Sequence, residues 1–351
     1  KDRESALKAK GRNPERIRKH ALIIVILCNV AVLFLLKYVN FGINTINGIA
    51  GFSGRMGNLP KGTSWLVPLG ISYYSLSLMG YVVDVYYGIA QPLKSPARLA
   101  LYGMFFPCML SGPILRFRED GNQFFVPHSF DYVQVTRGMQ RMLWGFFKVL
   151  VISERMALVV NTVYGDYISY PGIYIWIGTI AFAFQLYTNF SGGMDIALGI
   201  AQSFGLKLPE NFDRPFFSKT ISEYWRRWHI TLGAWFKDYI FYPISLGTHF
   251  QKFSQNCRKH MNRYYAATIP GIFALFAVWF GNGIWHGAEW KYIIYGLYYY
   301  VIMVLGMLLE PAFVSFCSKL NIDRNASWYH TMQVVRTFIL VNIGMLIFRS
   351  K

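Results

Sequence analysis

The chain has 351 residues, of which 54% are hydrophobic, 18% aromatic and only 15% charged. Soluble domains usually carry about 25% charged residues, so this composition excludes an ordinary soluble protein. The net charge of +18 would suit a nucleic-acid-binding protein, but membrane proteins collect such charge in cytoplasmic loops and against anionic lipid headgroups. We therefore expect a multi-pass membrane protein that contacts membrane lipid and binds no nucleic acid.

The N-terminal 1–20 is the densest basic block and is expected to be a cytoplasmic leader, either a surface-lying helix or a loop. The next run, 21-ALIIVILCNVAVLFLLKYV-39, is long enough to cross the roughly 30 Å hydrocarbon core. It is no signal peptide, because it follows a charged leader and lacks a small-residue cleavage site. Residues 21–351 are expected to form one membrane domain. The chain starts at Lys1 rather than Met and stops at 348-FRSK-351 after an apolar run, so we expect it to be a fragment.

Further apolar runs predict more membrane helices, and the fold class is therefore an all-α transmembrane helical bundle. With 21–39, the predicted spans are 65–87, 98–116, 138–161, 172–190, 192–205, 266–284, 290–310 and 334–348. The glycine-rich segment 41–64 is predicted to be a loop. Pro107 and Pro113 interrupt the span 98–116, and proline removes a backbone donor, so a bent or re-entrant segment is expected there.

The segment 206–263 is polar, aromatic and basic. Thr220 and Glu223 have the spacing of a capping box at a helix N-terminus. Apolar residues then recur at alternating spacings of four and three: Ile221, Trp225, Trp228, Leu232, Trp235 and Tyr239. Three polar residues fall on the opposite side: Arg227, Thr231 and Asp238. This pattern predicts one amphipathic helix at the membrane interface or against the bundle, and a plain surface anchor explains the stripe equally well.

Two histidines stand out. His286 lies in 279-WFGNGIWHGAEW-290, at the end of an apolar run. An ionisable residue at membrane depth indicates function, and a neutral imidazole can take a proton from an alcohol. A structural hydrogen bond to a buried carbonyl is the alternative. His229 lies on the edge of the apolar stripe, where a packed, structural histidine is the alternative.

The sequence lacks the motifs of several other classes of protein. The chain contains no H-E-x-x-H and no G-x-S-x-G, and its four cysteines form no C-x-x-C. We therefore expect neither a metal site nor a serine hydrolase. No whole-chain repeat supports an inverted-repeat transporter. A transporter or flippase remains the alternative of another class, and it would predict intramembrane charges spread over several helices.

These residues resemble a known family. The run 185-QLYTNFSGGMDIALGIAQSFGLKLPENFDRPFFSKTISEYWRRWHITLGAWFKDYIFYP-243, followed by 284-IWHG-287, is similar to the membrane-bound O-acyltransferase (MBOAT) family. The segments 111-SGPILRF-117 and 348-FR-349 add to the similarity, which covers roughly 65–349. The branch it resembles is the bacterial polysaccharide O-acetyltransferases. The teichoic-acid D-alanyl transfer protein belongs to the same branch.

The resemblance implies a bundle in which an outer funnel meets a narrow cytoplasmic tunnel near a catalytic histidine. His286 matches the family's essential histidine in W-H-G, and His229 matches its second functional histidine in R-W-H. The implied reaction moves an acyl group from a cytoplasmic thioester to an extracytoplasmic hydroxyl. No cofactor is implied as bound, and the donor is acetyl-CoA or, as the alternative, an acyl carrier protein thioester.

Supporting or donor-binding roles fall on seven further residues: Asn189, Asp195, Arg226, Arg227, Asp238, Asn282 and Trp285. Asn282 or backbone amides are expected to steady the oxyanion. The arginines, with Lys219, are expected to meet donor phosphates or lipid headgroups. Relatives often have Asp at the position of Asn189 and Tyr at the position of Gly193.

The resemblance also implies partners and a location. The acceptor is expected to be a cell-envelope or secreted polysaccharide, and the chain is expected in the plasma or inner membrane. An extracytoplasmic SGNH-type transferase or esterase is expected to receive the acyl group. The alternative within the class is D-alanyl transfer to teichoic acid from a carrier protein.

Overall fold

The computed structural model describes residues 13–52 and 67–350, and over these residues the chain is all-α, as predicted. No strand occurs in this part of the chain; one isolated antiparallel bridge joins Phe212 and Trp228. The chain packs as two units. Four described helices are long and apolar enough to cross a membrane, and this is an integral membrane protein. That 21–351 forms a single domain stays a prediction.

Within the described residues, the first unit contains six α-helices: α1 (Pro14–Lys37), α2 (Val39–Phe52), α3 (Ile71–Tyr86), α4 (Pro96–Gly103), α5 (Phe106–Leu110) and α6 (Phe117–Asp120). The first candidate span, α1, begins inside the predicted leader because Asn13 caps it, accepting from the backbone N–H of Glu15 at 3.0 Å. Residues 1–12 lie outside the described part of the chain.

The loop predicted over 41–64 is wrong for its first part, which continues as α2; 53–64 lie outside the described residues. Apolar residues at helical spacing, Ile43, Ile46 and Ile49, outweigh the glycines there. The predicted span 98–116 is interrupted, as expected, because α4 ends at Gly103 and α5 ends at Leu110. Whether this segment re-enters the membrane stays a prediction.

The second unit contains the remaining ten α-helices of the described chain: α7 (Tyr132–Phe146), α8 (Glu154–Gly165), α9 (Ile173–Ser203), α10 (Ile221–Arg227), α11 (Ile230–Phe236), α12 (Tyr242–Ser245), α13 (Thr248–His260), α14 (Arg263–His286), α15 (Trp290–Lys319) and α16 (Ser327–Arg349). Two π-helical turns, Phe147–Ser153 and Lys237–Phe241, continue α7 and α11. The other three candidate spans are α14, α15 and α16. An aromatic core that includes Tyr224, Trp279 and Tyr299 packs between α9, α10 and these three helices.

The two helices predicted at 172–190 and 192–205 are a single helix, α9. Its glycines do not break it; they let α7 approach. A Cβ atom on Gly192 would lie 2.8 Å from the carbonyl oxygen of Gly145, and one on Gly199 would lie 2.5 Å from that of Gly138. Both distances are too short for a real contact, so the four glycines permit backbone-to-backbone packing.

The single amphipathic helix predicted after Thr220 is also wrong. Its capping box is present, with Thr220 Oγ1 accepting from the Glu223 backbone N–H at 3.1 Å. The helix then stops at Arg227, and His229 adopts a left-handed conformation with φ 48°. At this break, the antiparallel bridge between Trp228 and Phe212 takes the place of helical hydrogen bonds. Thr231, predicted on the polar side, is buried with the stripe.

Candidate active site

His229 lies at the break between α10 and α11 and is only 4% exposed. Its Nδ1 atom is 3.3 Å from Oδ1 of Asn211, a side chain that is itself 1% exposed. The Asn211 backbone carbonyl also accepts from Ile230 N–H at 3.1 Å. The turn at Asn211 therefore holds the start of α11, and with it His229, in place.

His286 is the last residue of α14 and is half-buried in an aromatic cage. Its ring centroid lies 5.1 Å from that of Trp285, 5.4 Å from that of Phe348 and 5.8 Å from that of Tyr295. These rings come from α14, α15 and α16. Three separate helices thus fix the orientation of one imidazole.

The structure brings the two histidines together. Trp285 touches both: its ring centroid is 5.8 Å from that of His229 and 5.1 Å from that of His286. His229 lies outside the four candidate spans. Burial, and secondly the nearby His286, lower the pKa of His229 from 6.5 to about 3. His229 is therefore a neutral imidazole at physiological pH.

A cavity of about 560 Å³ lies beside His229, between α10, α11, α14 and α15. Its wall includes Trp225, Trp279 and Asn282. Asn282 is one helical turn before His286, so the cavity and the second histidine share one face of α14. His286 itself is not among the residues that line the cavity.

Four buried polar atoms of the cavity-lining residues have no hydrogen-bond partner among the described residues: His229 Nε2, Trp225 Nε1, Trp279 Nε1 and Asn282 Oδ1. An unsatisfied buried polar group costs about 1 to 3 kcal/mol. Such groups are rare in native proteins and call for an explanation. Their concentration in the residues around one cavity is typical of a ligand site.

The charges at the cavity are positive. Arg226 and Lys237 are exposed and line it, and within the described residues its wall contains no aspartate or glutamate. Arg227, predicted beside Arg226 as a donor-binding residue, instead forms an ion pair with Glu223 at 2.7 Å. The cavity thus suits a neutral or anionic ligand.

Three of the predicted supporting residues lie outside the cavity wall. Asn189 is exposed on α9. Asp195 forms ion pairs with Arg141 at 2.9 Å and with Lys148. Asp238 lies on the π-helical turn after α11 and is not in the cavity wall. The side chain that forms a hydrogen bond with His229 is Asn211.

Comparison with known proteins decides the family. The profile of the MBOAT, membrane-bound O-acyltransferase family, matches residues 64–256, more than half of the chain. The chain belongs to this family. The matched region of this MBOAT chain contains α10, α11 and His229, and ends before α14 and His286.

Three similar proteins have names that describe transfer of an acetyl or D-alanyl group. A probable alginate O-acetylase AlgI of Pseudomonas putida is 32% identical over 94% of this chain and 61% of its own length. A peptidoglycan O-acetyltransferase of Helicobacter pylori is 28% identical over 99% of this chain and 65% of its own. A teichoic acid D-alanyltransferase of Bacillus subtilis is 28% identical over 81% and 69%. The chain therefore spans about three fifths of the length of the alginate O-acetylases it matches.

Sequence reasoning missed three residues of the site. Asn211 stands in the P-E-N-F motif, but its role depends on a contact 18 residues along the chain. Trp225 was assigned only to the apolar stripe, and Trp279 only to an apolar run. No group of three or more His, Cys, Asp or Glu side chains that could hold a metal occurs in the part of the chain the structure describes.

Proposed function

We propose that this MBOAT chain is a membrane O-acyltransferase that moves an acetyl group from a cytoplasmic thioester donor, acetyl-CoA, to a hydroxyl of an extracytoplasmic polysaccharide. Family membership and the names of the relatives support the reaction class. The observation that carries the proposal is the pairing of His229 and His286 across Trp285, beside a cavity whose lining includes unpartnered polar atoms.

The proposed chemistry is a single acyl transfer. His286 takes the proton of the acceptor hydroxyl as the oxygen forms a bond to the thioester carbonyl carbon. The tetrahedral intermediate then expels the thiolate as the carbon–sulfur bond breaks, and the protonated His286 returns the proton to sulfur. Asn282 lines the cavity one helical turn before His286, and we assign its side-chain N–H, or backbone amides, to stabilising a developing oxyanion.

The positive charge at the cavity supports transfer of an acetyl group rather than a D-alanyl group. A D-alanyl group carries an ammonium, and burying it would require a carboxylate partner. The cavity wall offers Arg226 and Lys237 and no acidic side chain within the described residues. These two cations suit the phosphates of the donor.

The partner and location belong to the same proposal. The resemblance to polysaccharide O-acetyltransferases supports an acceptor in the cell envelope or a secreted polymer. It also supports a plasma or inner membrane location and an extracytoplasmic SGNH-type protein that completes the transfer. Acylation of polymer by the purified chain alone would remove the need for that partner.

The test is His286→Gln, since glutamine keeps hydrogen bonding but cannot take the proton. We expect acyl incorporation into polymer to fall by about 10²- to 10⁴-fold, with the protein monodisperse in detergent. The matched control is His260→Gln, an exposed histidine on α13, which should leave activity unchanged. Near-normal activity of His286→Gln would make His286 structural. Movement of an unmodified substrate across the membrane, without covalent transfer, would favour a transporter.

A further inference from the structure

The side-chain amide of Asn211 has only one allowed orientation. Its Oδ1 atom lies 2.9 Å from the backbone nitrogen of Thr231 and 2.9 Å from the Thr231 hydroxyl. A backbone N–H can only donate, so the amide atom that faces it must be the oxygen. The amide nitrogen correspondingly lies 3.0 Å from Met194 Sδ, a weak acceptor.

This orientation determines which nitrogen of His229 carries the proton. The same Asn211 oxygen faces Nδ1 of His229 at 3.3 Å. A bare Nδ1 would place two lone pairs against each other, whereas a protonated Nδ1 donates a hydrogen bond. We propose that Asn211 is a positioning residue that holds His229 as the Nδ1–H tautomer, leaving Nε2 as a bare hydrogen-bond acceptor.

Burial gives independent support for a neutral ring. A doubly protonated imidazole would also donate to Asn211, but burial and His286 lower the pKa of His229 to about 3. Nε2 has no partner among the described residues. His229 is therefore equipped to receive a hydrogen bond rather than to donate one to an oxyanion.

The ligand group that Nε2 meets must carry an N–H or O–H. Resting on the proposed function, this group is either an amide of the thioester donor's arm or the hydroxyl of the acceptor. His229 and His286 then have different tasks: His229 positions a substrate by accepting a hydrogen bond, and His286 moves the proton.

The direct test reads the tautomer without any turnover. The full chain is prepared in lipid nanodiscs with histidine labelled with ¹⁵N at Nδ1 only, and the His229 signal is the one absent from His229→Gln. We expect a protonated-type Nδ1 signal in the unaltered protein. A bare-type signal would overturn the inference even if the protein is an active acyltransferase. A protonated-type signal would support it even if no transfer is detected.

Variants test whether Asn211 is the cause. Asn211→Leu removes the acceptor and should move the Nδ1 signal towards the bare type, while Asn211→Asp restores an acceptor and should return it to the protonated type. The matched control is Asn342→Leu, another asparagine with 1% exposure, which lies on α16 and should leave the signal unchanged. An unchanged signal in a folded Asn211→Leu would contradict the proposal.

Kinetics show whether the group that donates a hydrogen bond to Nε2 belongs to the acyl donor or to the acceptor. Asn211→Leu should lower transfer by about 10- to 100-fold, the usual effect of losing a group that orients a functional histidine, with recovery in Asn211→Asp. A raised KM for acetyl-CoA identifies the donor amide. A lowered kcat at saturating donor identifies the acceptor hydroxyl. Normal values of both would overturn the role of Nε2.

Discussion

At the scale of single residues, His229 combines two costs. Its left-handed backbone, with φ 48°, costs a non-glycine residue about 1 to 3 kcal/mol. Its imidazole is buried with Nε2 unpartnered among the described residues. Asn211 offsets part of this by accepting hydrogen bonds from the backbone N–H groups of Ile230 and Thr231, directly after the turn. Strain of this kind is concentrated at functional sites, and here it directs Nδ1 of the ring to Asn211.

The lowered pKa of His229 predicts a loss of stability in acid. The unfolded chain takes up a proton near pH 6.5, while the folded chain resists protonation until about pH 3. The unfolded state thus binds more protons across that range, and folding stability falls as the pH decreases through it. We expect His229→Gln to lessen the drop in thermal midpoint between neutral pH and about pH 5, measured in detergent. An equal drop in both proteins would contradict this, and exposed His260→Gln serves as the control.

Motifs predicted both histidines, Asn282, Trp285 and Arg226 as site residues. The structure packs Trp285 against both histidines and puts Asn282 and Arg226 in the cavity wall with His229; their functional roles stay predictions. The motifs did not predict Asn211 as the hydrogen-bond partner of His229. Asn211 reaches His229 only because the chain folds back through the bridge at Phe212. The left-handed residue that ends the helix has no signature in local propensity.

At the scale of helices, a glycine can either interrupt a helix or allow a neighbouring helix to pack closely against it. The predicted spans 172–190 and 192–205 were separated next to Gly192 and Gly193, but both glycines lie inside α9, facing α7 or Ser111. Glycine weakens a helix by about 1 kcal/mol relative to alanine. Close packing between α7 and α9 offsets that cost, as in other membrane helix pairs built on small residues. Sequence periodicity predicts which face of a helix is apolar, but it does not predict which element packs against that face.

The glycine contact predicts that Gly199→Ala destabilises the protein. The new Cβ would lie 2.5 Å from the Gly138 carbonyl oxygen and 3.0 Å from the Met142 backbone nitrogen. Backbone atoms cannot move aside alone, so overpacking should cost about 1 to 3 kcal/mol. The measurement is the thermal midpoint in detergent. Gly306→Ala on α15, with no atom within 4 Å of the new Cβ, is the matched control and should show no loss. Equal midpoints for the two variants would refute close packing at Gly199.

At the scale of the whole chain, charge is distributed unequally between the two ends of α9. The loop before it, 166–172, contains Asp166 and no lysine or arginine. The segment after it, 206–263, contains ten lysines and arginines against four acidic residues. We predict that α9 crosses the membrane in addition to the four candidate spans, because its 31 residues extend about 46 Å at 1.5 Å per residue, more than the roughly 30 Å hydrocarbon core. The positive-inside rule then predicts that 206–263 and the leader 1–20 are cytoplasmic.

Cysteine labelling of intact cells tests this topology. Ser169→Cys, before α9, and Lys259→Cys, on α13, are both exposed positions; the background carries Cys28→Ser, because Cys28 is the exposed one of the four native cysteines. We expect a membrane-impermeant maleimide to label Ser169→Cys in intact cells and to label Lys259→Cys only after permeabilisation. The control is equal labelling of both variants in detergent. The reverse pattern would put Arg226 and Lys237, the cations at the cavity, outside the cell. Acetyl-CoA is cytoplasmic, so that result would contradict both the topology and the proposed entry of the donor.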